Sequence, residues 1–254
     1  QMNKNSLNKW KSYSLLFLSI TVITIIIFCS FWWSSFKDNA ILKTFSISKT
    51  NVLDQSNYKI LIDQYLGCNI NRMNLTEISS IIEKHPYVKA ARISKRFPSL
   101  IKIEIIEREP IAILQIEPMI LLDKEGFVLP KIDNLNNYNL PIMTNFNPTS
   151  SLYPTGQKTL SKNVNYCIYW LKQIKKSYNP LYENLSEMKM NANNEMELIL
   201  ADNPTHIYLG QNQLFARINT LKEFEIQLKP NKLSDFNYLD MRYKNQIIVK
   251  NRKI

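Results

Sequence analysis

The pattern that dominates the N-terminal part of the chain is an uninterrupted apolar run. No residue of 12–36 is charged, and about 20 apolar residues suffice to cross the hydrocarbon core of a bilayer. A cleaved signal peptide has a shorter apolar run that ends in small residues. This run instead ends in the aromatic triplet 31–33, which suits the lipid–water interface. The pattern therefore predicts a retained transmembrane helix over 14–36, preceded by a tail of residues 1–13.

The charges on either side of this run predict its orientation. Lys4, Lys9 and Lys11 precede it, with no acid among them. Lys37 and Asp38 follow it, and their opposite charges cancel. Because positively charged flanks stay in the cytoplasm, we expect the tail in the cytoplasm and the rest of the chain outside. The sequence thus predicts a single-pass membrane protein whose C-terminal part lies outside the cytoplasm.

Residues 45–109 alternate between strand-like and helix-like patterns. An alternation of apolar and polar residues predicts a half-buried strand, and apolar positions at helical spacing predict an amphipathic helix. Asn74 suits the N-cap of the second helix, and Pro86 ends it. The predicted order is β-α-α-β-β, a three-stranded sheet with two helices on one face. The predicted elements are strand 45–52, helix 57–66, the helix from 75 to Pro86, and strands 88–97 and 100–109.

The second half of the chain alternates between short strands and two amphipathic helices. Strand patterns occur at 121–123, 126–129, 196–200, 206–209, 239–243 and 246–250. The helix stripes are Val164, Cys167, Ile168, Leu171 and Ile174, and then Leu214, Ile218, Leu221 and Leu228. We therefore predict an α+β protein with a single transmembrane helix, a β-α-α-β-β domain and a mostly antiparallel β domain with flanking helices.

Composition changes this picture mainly by what it excludes. The formal net charge of +11 would suit nucleic acid, anionic lipid or an acidic partner, but a basic domain outside the cytoplasm does not meet nucleic acid. Four glycines without a G-x-G-x-x-G run disfavour a phosphate loop. Two histidines and three cysteines without ligand spacing disfavour zinc. We predict no catalytic residue, no cofactor and no metal. A disulfide between Cys68 and Cys167 is conceivable outside the cytoplasm.

A membrane-anchored cell-wall enzyme is the rival from another class. Glu107 and Glu109 share one face of a strand and could be imagined as an acid–base pair, with Arg108 on the opposite face. Carboxylate catalysis needs a cleft and a raised pKa on one of the two acids, and the sequence indicates neither. We therefore interpret 107–109 as an ordinary strand end with a local ion pair.

Short motifs over 86–112 carry a resemblance to a known family. The motif begins with a proline, an aromatic residue and Val, continues with Ala and then a basic residue followed by Phe-Pro, and ends with Glu-Arg-x-Pro-x-Ala. This is similar to the POTRA domain of the FtsQ/DivIB family of bacterial cell-division proteins. The hairpin around Asp123 and the ending 239–243 extend the resemblance, whereas the family's glycine in the first turn is replaced by 49–51 (KTN). The POTRA motif residues are Pro86, Val88, Ala91, Arg96, Pro98, Glu107, Arg108 and Pro110.

The resemblance implies a domain plan and a set of partners. It implies a POTRA domain over 37–110 and a C-terminal β domain over 111–254, in a non-enzymatic scaffold at the division septum. Such a scaffold links early and late divisome proteins, with FtsK among the upstream candidates. It binds FtsB-like and FtsL-like proteins and so influences septal peptidoglycan synthesis. The alternative is a membrane-anchored POTRA chaperone of protein secretion or outer-membrane assembly, although those carry repeated POTRA units or a barrel.

The final strand is predicted to carry the partner contact. A last strand is often an edge strand, whose unpaired backbone groups accept a partner strand. The resemblance implies that the last strands bind the FtsB-like protein, and the motif places Arg242 and Tyr243 on the binding strand. The opposite interpretation is that the chain's own tail covers 247–249. The predicted partner-binding residues are Arg242, Tyr243, Asn245, Ile247, Ile248 and Val249.

Overall fold

The structure is a computed structural model that describes residues 4–38, 40–132, 138–244 and 246–252. The chain divides into two compact units. Unit 1 comprises Gln1–Ile82 and Ala90–Ile105, and unit 2 comprises Glu83–Lys89 and Ile106–Ile254.

The first helix, α1, spans Lys4–Asp38. Its stretch Tyr13–Trp33 has a mean hydropathy of 2.5 and is not buried within the structure, so α1 is long and apolar enough to cross a membrane. Ser19 and Thr21 each donate a hydroxyl hydrogen bond at 2.8 Å to a carbonyl three residues back. Because these hydroxyl groups have acceptors within the helix, they do not oppose an apolar surrounding.

A three-stranded sheet follows α1, in the predicted β-α-α-β-β order. The elements are β1 Thr44–Ile47, α2 Gln55–Lys59, α3 Leu75–Glu83, β2 Val88–Arg96 and β3 Leu100–Glu107. The sheet order is β1-β3-β2, with β1 parallel to β3. Parallel neighbours cannot be joined by a tight hairpin, and the helical segment between β1 and β2 makes this arrangement possible.

The capped helix α3 forms where the sequence predicts it. The Asn74 side chain accepts hydrogen bonds from the backbone N–H groups of Thr76 at 3.1 Å and Glu77 at 3.4 Å. These bonds satisfy donors that the first turn of a helix leaves without partners. Ile78 and Ile82, which lie four residues apart on one face of the helix, are fully buried, so α3 packs through this apolar face.

β1 is shorter than its predicted range of 45–52. It ends at Ile47, because the side chain of the next residue, Ser48, bonds to the neighbouring strand. Ser48 Oγ accepts a hydrogen bond from the Ile105 backbone N–H at 3.0 Å. A serine side chain that bonds to the backbone competes with continued strand pairing.

The predicted helix 57–66 is likewise broken. It consists of α2 and a separate 3₁₀ turn at Asp63–Tyr65. After α2 the backbone bonds close over three residues, as in the bond from the Ile62 N–H to the Lys59 carbonyl at 3.0 Å. This tighter winding does not propagate into a long helix.

Unit 2 is built on a nine-stranded mixed sheet. The remaining strands are β4 Pro110–Leu114, β5 Ile120–Asp123, β6 Val128–Leu129, β7 Ile142–Thr144, β8 Leu185–Met190, β9 Met196–Leu200, β10 His206–Gly210, β11 Phe236–Asp240 and β12 Ile248–Asn251. The helices are α4 Lys162–Ser177, α5 Asn179–Glu183 and α6 Leu214–Leu228. The sheet order is β12-β11-β10-β9-β8-β7-β4-β5-β6.

Most neighbours in this sheet are antiparallel, as predicted. The pairs β4–β7, β7–β8 and β10–β11 are parallel. Parallel strands need crossover connections, and the helices supply two of these. α4 and α5 lie between β7 and β8 along the chain, and α6 lies between β10 and β11.

The two long helices of unit 2 pack against the sheet core through their predicted stripes. Every predicted stripe residue of α4 is buried, and the Ser161 hydroxyl caps this helix by accepting from the Val164 N–H at 3.4 Å. In α6 the first three predicted residues are buried, and Leu228 is half-buried against the same core.

The three cysteines have free thiols. Cys68 is exposed, and Cys167 is buried in α4. Burial raises the pKa of the Cys167 thiol to about 12, so it stays protonated and unreactive at neutral pH. In the part of the chain that the structure describes, no three His, Cys, Asp or Glu side chains are grouped so that they could hold a metal ion.

Candidate functional site

The strand β12 lies at one edge of the nine-stranded sheet. Its neighbour is β11, which runs antiparallel and places Asp240 opposite Ile248 and Tyr238 opposite Lys250. All four residues of β12 are exposed, and no strand of the described chain pairs with its other side. An edge of this kind presents unpaired N–H and C=O groups to another strand.

The opposite edge of the same sheet is covered. The strand there is β6, whose two residues, Val128 and Leu129, are both buried. The Val128 N–H donates to the Gln157 carbonyl, and the Val128 carbonyl accepts from the Gly156 N–H, both at 2.8 Å. Among the described residues, the chain thus protects one edge of the sheet and leaves the other open.

The predicted partner-binding residues fall only partly on β12. Ile248 and Val249 lie on the strand and are 39% and 38% exposed. Ile247 precedes the strand and is half-buried against the core of unit 2. Asn245 lies outside the described residues. An added strand would therefore meet Ile248 and Val249 directly.

Arg242 and Tyr243 lie in the connection between β11 and β12, so their predicted place on a strand is wrong. β11 ends at Asp240, whose carboxylate accepts from the Arg242 backbone N–H at 3.0 Å, from Nε at 2.9 Å and from Nη2 at 2.7 Å. A carboxylate that captures the N–H two residues ahead turns the chain out of the strand. Tyr243 is 55% exposed in this connection.

Arg242 is fixed from several directions. Its Nη1 donates to Glu195 at 3.4 Å, and its carbonyl accepts from Arg217 Nη2 at 3.0 Å. Its guanidinium lies 5.2 Å from the centroid of the Tyr208 ring. These contacts fix the side chain of Arg242, and the neighbouring Tyr243 side chain is exposed.

Asp240→Asn is expected to cost about 1.5–3 kcal/mol of unfolding free energy at neutral pH, because it removes the charge that accepts the Arg242 bonds. Arg242 holds the pKa of the Asp240 carboxyl below its usual range. The stabilisation is therefore present above the unfolded-state pKa of about 3.9 and is lost as the pH falls through the lower folded pKa. Wild type and variant should converge in stability as urea titrations move from pH 7 to pH 3. Asp202→Asn at an exposed position is the control, and an undiminished difference at pH 3 would contradict the expectation.

Ring side chains line the sheet beside this connection, and sequence reasoning missed them as a group. The His206 ring stacks on Tyr208 with centroids 6.2 Å apart, and Tyr208 lies 6.1 Å from Tyr238. His206 Nδ1 also contacts the Glu197 carboxylate. The available signal was the alternation along β10, in which His206 and Tyr208 flank the buried Ile207.

The POTRA motif residues are distributed over several elements. Val88, Ala91 and Arg96 lie on β2, Glu107 ends β3 and Pro110 opens β4. Pro86 follows α3, Pro98 lies between β2 and β3, and Arg108 lies between β3 and β4. Within unit 2, the Arg108 N–H donates to the Tyr87 carbonyl at 2.8 Å, so Pro86 and Val88 lie in the segment beside Arg108.

Arg108 forms a cluster with the hairpin of β5 and β6. Its Nη1 lies 2.8 Å from Asp123 Oδ2 and 3.3 Å from Glu125 Oε2, and its guanidinium lies 3.4 Å from the centroid of the Phe127 ring. The side chains of Arg108 and Asp123 are 10% and 4% exposed. Glu107 ends β3 as predicted, and antiparallel pairing of β4 with β5 brings the carboxylates of Asp123 and Glu125, which are more distant along the chain, to Arg108.

Comparison with known proteins gives matches over most of this region. The profile of the POTRA domain, FtsQ-type, matches residues 41–108, and that of the cell division protein FtsQ/DivIB, C-terminal, matches residues 112–242. The second match ends before β12, so the open edge is a finding of the structure alone.

Curated relatives extend these matches. The chain is 25% identical to the cell division protein FtsQ of Syntrophotalea carbinolica over 184 residues, which is 72% of this chain and 64% of that protein. It is 21% identical to FtsQ of Geotalea daltonii over 210 residues (82% and 75%) and 28% identical to DivIB of Clostridium tetani over 176 residues (68% and 57%). The chain thus spans less than two thirds of the first and third of these relatives.

Proposed function

This chain belongs to the FtsQ/DivIB family of cell-division proteins, and we propose that it is a division scaffold that binds its partner by strand addition at β12. Members of this family are non-enzymatic, and the proposed mechanism needs no chemistry. The partner is the pair of FtsB-like and FtsL-like division proteins. Their binding would couple this protein to septal peptidoglycan synthesis.

The observation that carries the proposal is the open edge of the sheet. Among the described residues, β12 pairs with β11 on one side and with no strand on the other, and all of its residues are exposed. The backbone groups on its other side supply the hydrogen bonds of a complex, while Ile248 and Val249 supply apolar contacts. Tyr243 lies next to this edge, and Arg242 carries a positive charge there.

The membrane anchor and the domain plan belong to the same proposal. The apolar stretch of α1 would span the inner membrane over 14–36, with residues 1–13 in the cytoplasm because lysines precede it. The POTRA domain over 37–110 and the β domain over 111–254 would then be periplasmic and concentrated at the septum. This placement brings the open edge to the compartment in which septal wall is made.

The proposed contacts with upstream partners lie in the POTRA domain and the membrane segment. We propose that earlier divisome proteins such as FtsK recruit this protein to the division site. They would contact a sheet edge of the POTRA domain and the membrane segment.

The chaperone alternative is not favoured, because the POTRA profile that matches is of the FtsQ type and the C-terminal match is to a division protein.

Ile248→Asp in the full chain tests the proposal. A charge on the edge strand opposes burial under a partner strand, so the Kd for the FtsB-like and FtsL-like ectodomain pair of the same organism should rise about 100-fold or more. Tyr243→Ala should weaken binding to a smaller degree. The full chain in nanodiscs and biolayer interferometry provide the measurement.

Ile226→Asp is the matched control for that experiment. Ile226 is an exposed isoleucine on α6, so its variant adds the same charge to unit 2 away from β12. It should bind like the wild type. Unchanged binding by Ile248→Asp, with both variants folded, would rule out strand addition at this edge.

A further inference from the structure

The three-stranded sheet of unit 1 follows the membrane helix after a very short connection. The proposed span ends at residue 36, and α1 itself ends two residues later at Asp38, about 3 Å further along the helix axis. The headgroup layer of one leaflet is about 5–8 Å thick, so a spanning α1 ends within that layer. Five residues lead from Asp38 to Lys43, which keeps Lys43 within about 18 Å of the end of α1.

One end of the sheet is formed by the start of β1 and by the turn between β2 and β3. The Lys43 N–H donates to the carbonyl of Ser99 in that turn at 2.9 Å. β1 runs parallel to β3, with Thr44 opposite Leu100, so both strands begin at this end and β2 ends there. We call residues 43–44 and 96–100 the proximal end of the sheet, because the connection from α1 enters here.

The proximal end exposes an aromatic ring beside cations. Phe97, in the turn, is 55% exposed. Arg96 at the end of β2 and Lys43 before β1 are exposed as well. Aromatic rings suit the headgroup level of a membrane, and the long side chains of Lys and Arg reach from there to lipid phosphates.

Further cations lie behind the proximal end on the solvent-facing side of the sheet. Alternate residues of β3 are buried, which places Lys102 and Glu104 on the opposite, wet side. The hydrogen bond from Lys102 lowers the pKa of the Glu104 carboxyl, and the charges of Arg92 and Arg96 lower it further. Both arginines therefore lie near Glu104, so this side carries three cations around one acid.

We propose that the basic surface formed by Lys43, Arg92, Arg96, Phe97 and Lys102 docks on the anionic phospholipid headgroups of the membrane that holds α1. This inference rests on the proposed membrane anchor and adds a second contact with the same bilayer. Anionic headgroups attract nearby cations within about one Debye length, about 10 Å at 0.1 M ionic strength. The short connection from α1 makes the docking intramolecular, so weak contacts suffice. Docking orients unit 1 on the membrane surface.

The measurement uses the native Cys68 as its reporter. The Cys68 carbonyl accepts from the Leu42 N–H at 2.9 Å, next to the proximal end, and its thiol is exposed. With Cys29→Ser in place, and with Cys167 buried and unreactive, a maleimide dye labels Cys68 alone. The labelled full chain is placed in nanodiscs of phosphatidylcholine, or of equal parts phosphatidylcholine and phosphatidylglycerol. Each contains a trace of lipid with a nitroxide on its headgroup, which quenches the dye only near contact.

Quenching should be about twofold or more stronger in the anionic nanodiscs, and the difference should vanish at about 1 M salt, where the Debye length is about 3 Å. Arg92→Gln combined with Arg96→Gln should remove most of the difference. Arg92→Lys combined with Arg96→Lys should keep it, because anionic headgroups attract either cation. Phe97→Ser should also weaken quenching, because it removes the interfacial ring.

Lys49→Gln combined with Lys59→Gln is the matched control. Lys49 lies beyond the far end of β1, Lys59 lies on α2, and both are exposed. This variant loses the same charge away from the proximal end, so it should be quenched like the wild type. Equal quenching in the two lipid compositions, or an equal loss in this control, overturns the inference. An arginine variant that is quenched normally but fails to reach the septum in cells also overturns it, because the surface then binds a protein.

Two further measurements separate this inference from the proposed function. The variant with Arg92→Gln and Arg96→Gln should bind the FtsB-like and FtsL-like ectodomain pair with the Kd of the wild type. Ile248→Asp should be quenched like the wild type, so that strand addition and docking fail independently. Release of the full chain from membranes by sodium carbonate would overturn the anchor itself, and docking with it.

Discussion

Arg108→Ala is expected to lower the free energy of unfolding by about 3–5 kcal/mol, because it leaves the carboxylate of Asp123 buried without its cation. Asp123 is almost fully shielded and lies 2.8 Å from the Arg108 guanidinium. The same guanidinium covers the Phe127 ring at 3.4 Å, so packing is lost together with charge. Urea denaturation followed by tryptophan fluorescence measures the change.

Two variants show whether the shielded geometry is responsible. Lys102→Ala removes the cation of an exposed pair with Glu104 and should change stability by less than about 1 kcal/mol. Arg108→Lys keeps the charge but not the planar fork, so it should fall between the wild type and Arg108→Ala. If Arg108→Ala were no more harmful than Lys102→Ala, the cluster would not be a stabilising feature of unit 2.

Leu171→Ala is expected to destabilise the protein by about 2–5 kcal/mol, because it removes a fully buried side chain and leaves a cavity. Leu171 belongs to the stripe by which α4 packs against the sheet core. The matched control is Leu160→Ala, since Leu160 is 65% exposed and should change stability by less than about 0.5 kcal/mol. The same urea titration compares them, and equal effects would show that α4 does not pack through Leu171.

The helices of unit 2 were predictable because their signal is local. The stripe from Val164 to Ile174 repeats at helical spacing, and only one face of a helix can be buried at that spacing. The same holds for Asn74, whose cap needs only the next turn of its own helix. Such features depend on neighbours in the chain, so the sequence suffices to find them.

The short buried strands were harder to find. β4 is buried at four of its five residues, and β7 has only three residues. A strand that is buried on both faces shows no alternation of apolar and polar residues. β4 therefore lacks the alternation that predicts a strand, and β7 is too short for an alternation to be recognised.

Some features of the candidate site were likewise predictable from the sequence, and others were not. The family motif located the closing strands and the final apolar run, but it placed Arg242 and Tyr243 on a strand. The Asp240 carboxylate binds Arg242 and ends β11 before them. Whether a polar residue continues a strand or leaves it depends on which side chain competes for its N–H.

By itself the sequence determined the apolar N-terminal helix, the β-α-α-β-β order, the amphipathic helices and the family, because these rest on spacing within short stretches. Only the tertiary structure decided that Arg108 pairs with Asp123 and that, among the described residues, β12 is left open while β6 is covered. Those outcomes depend on which distant strands become neighbours and on which strand stays unpaired at an edge of the sheet. The local periodicity of apolar and polar residues predicts neither of them.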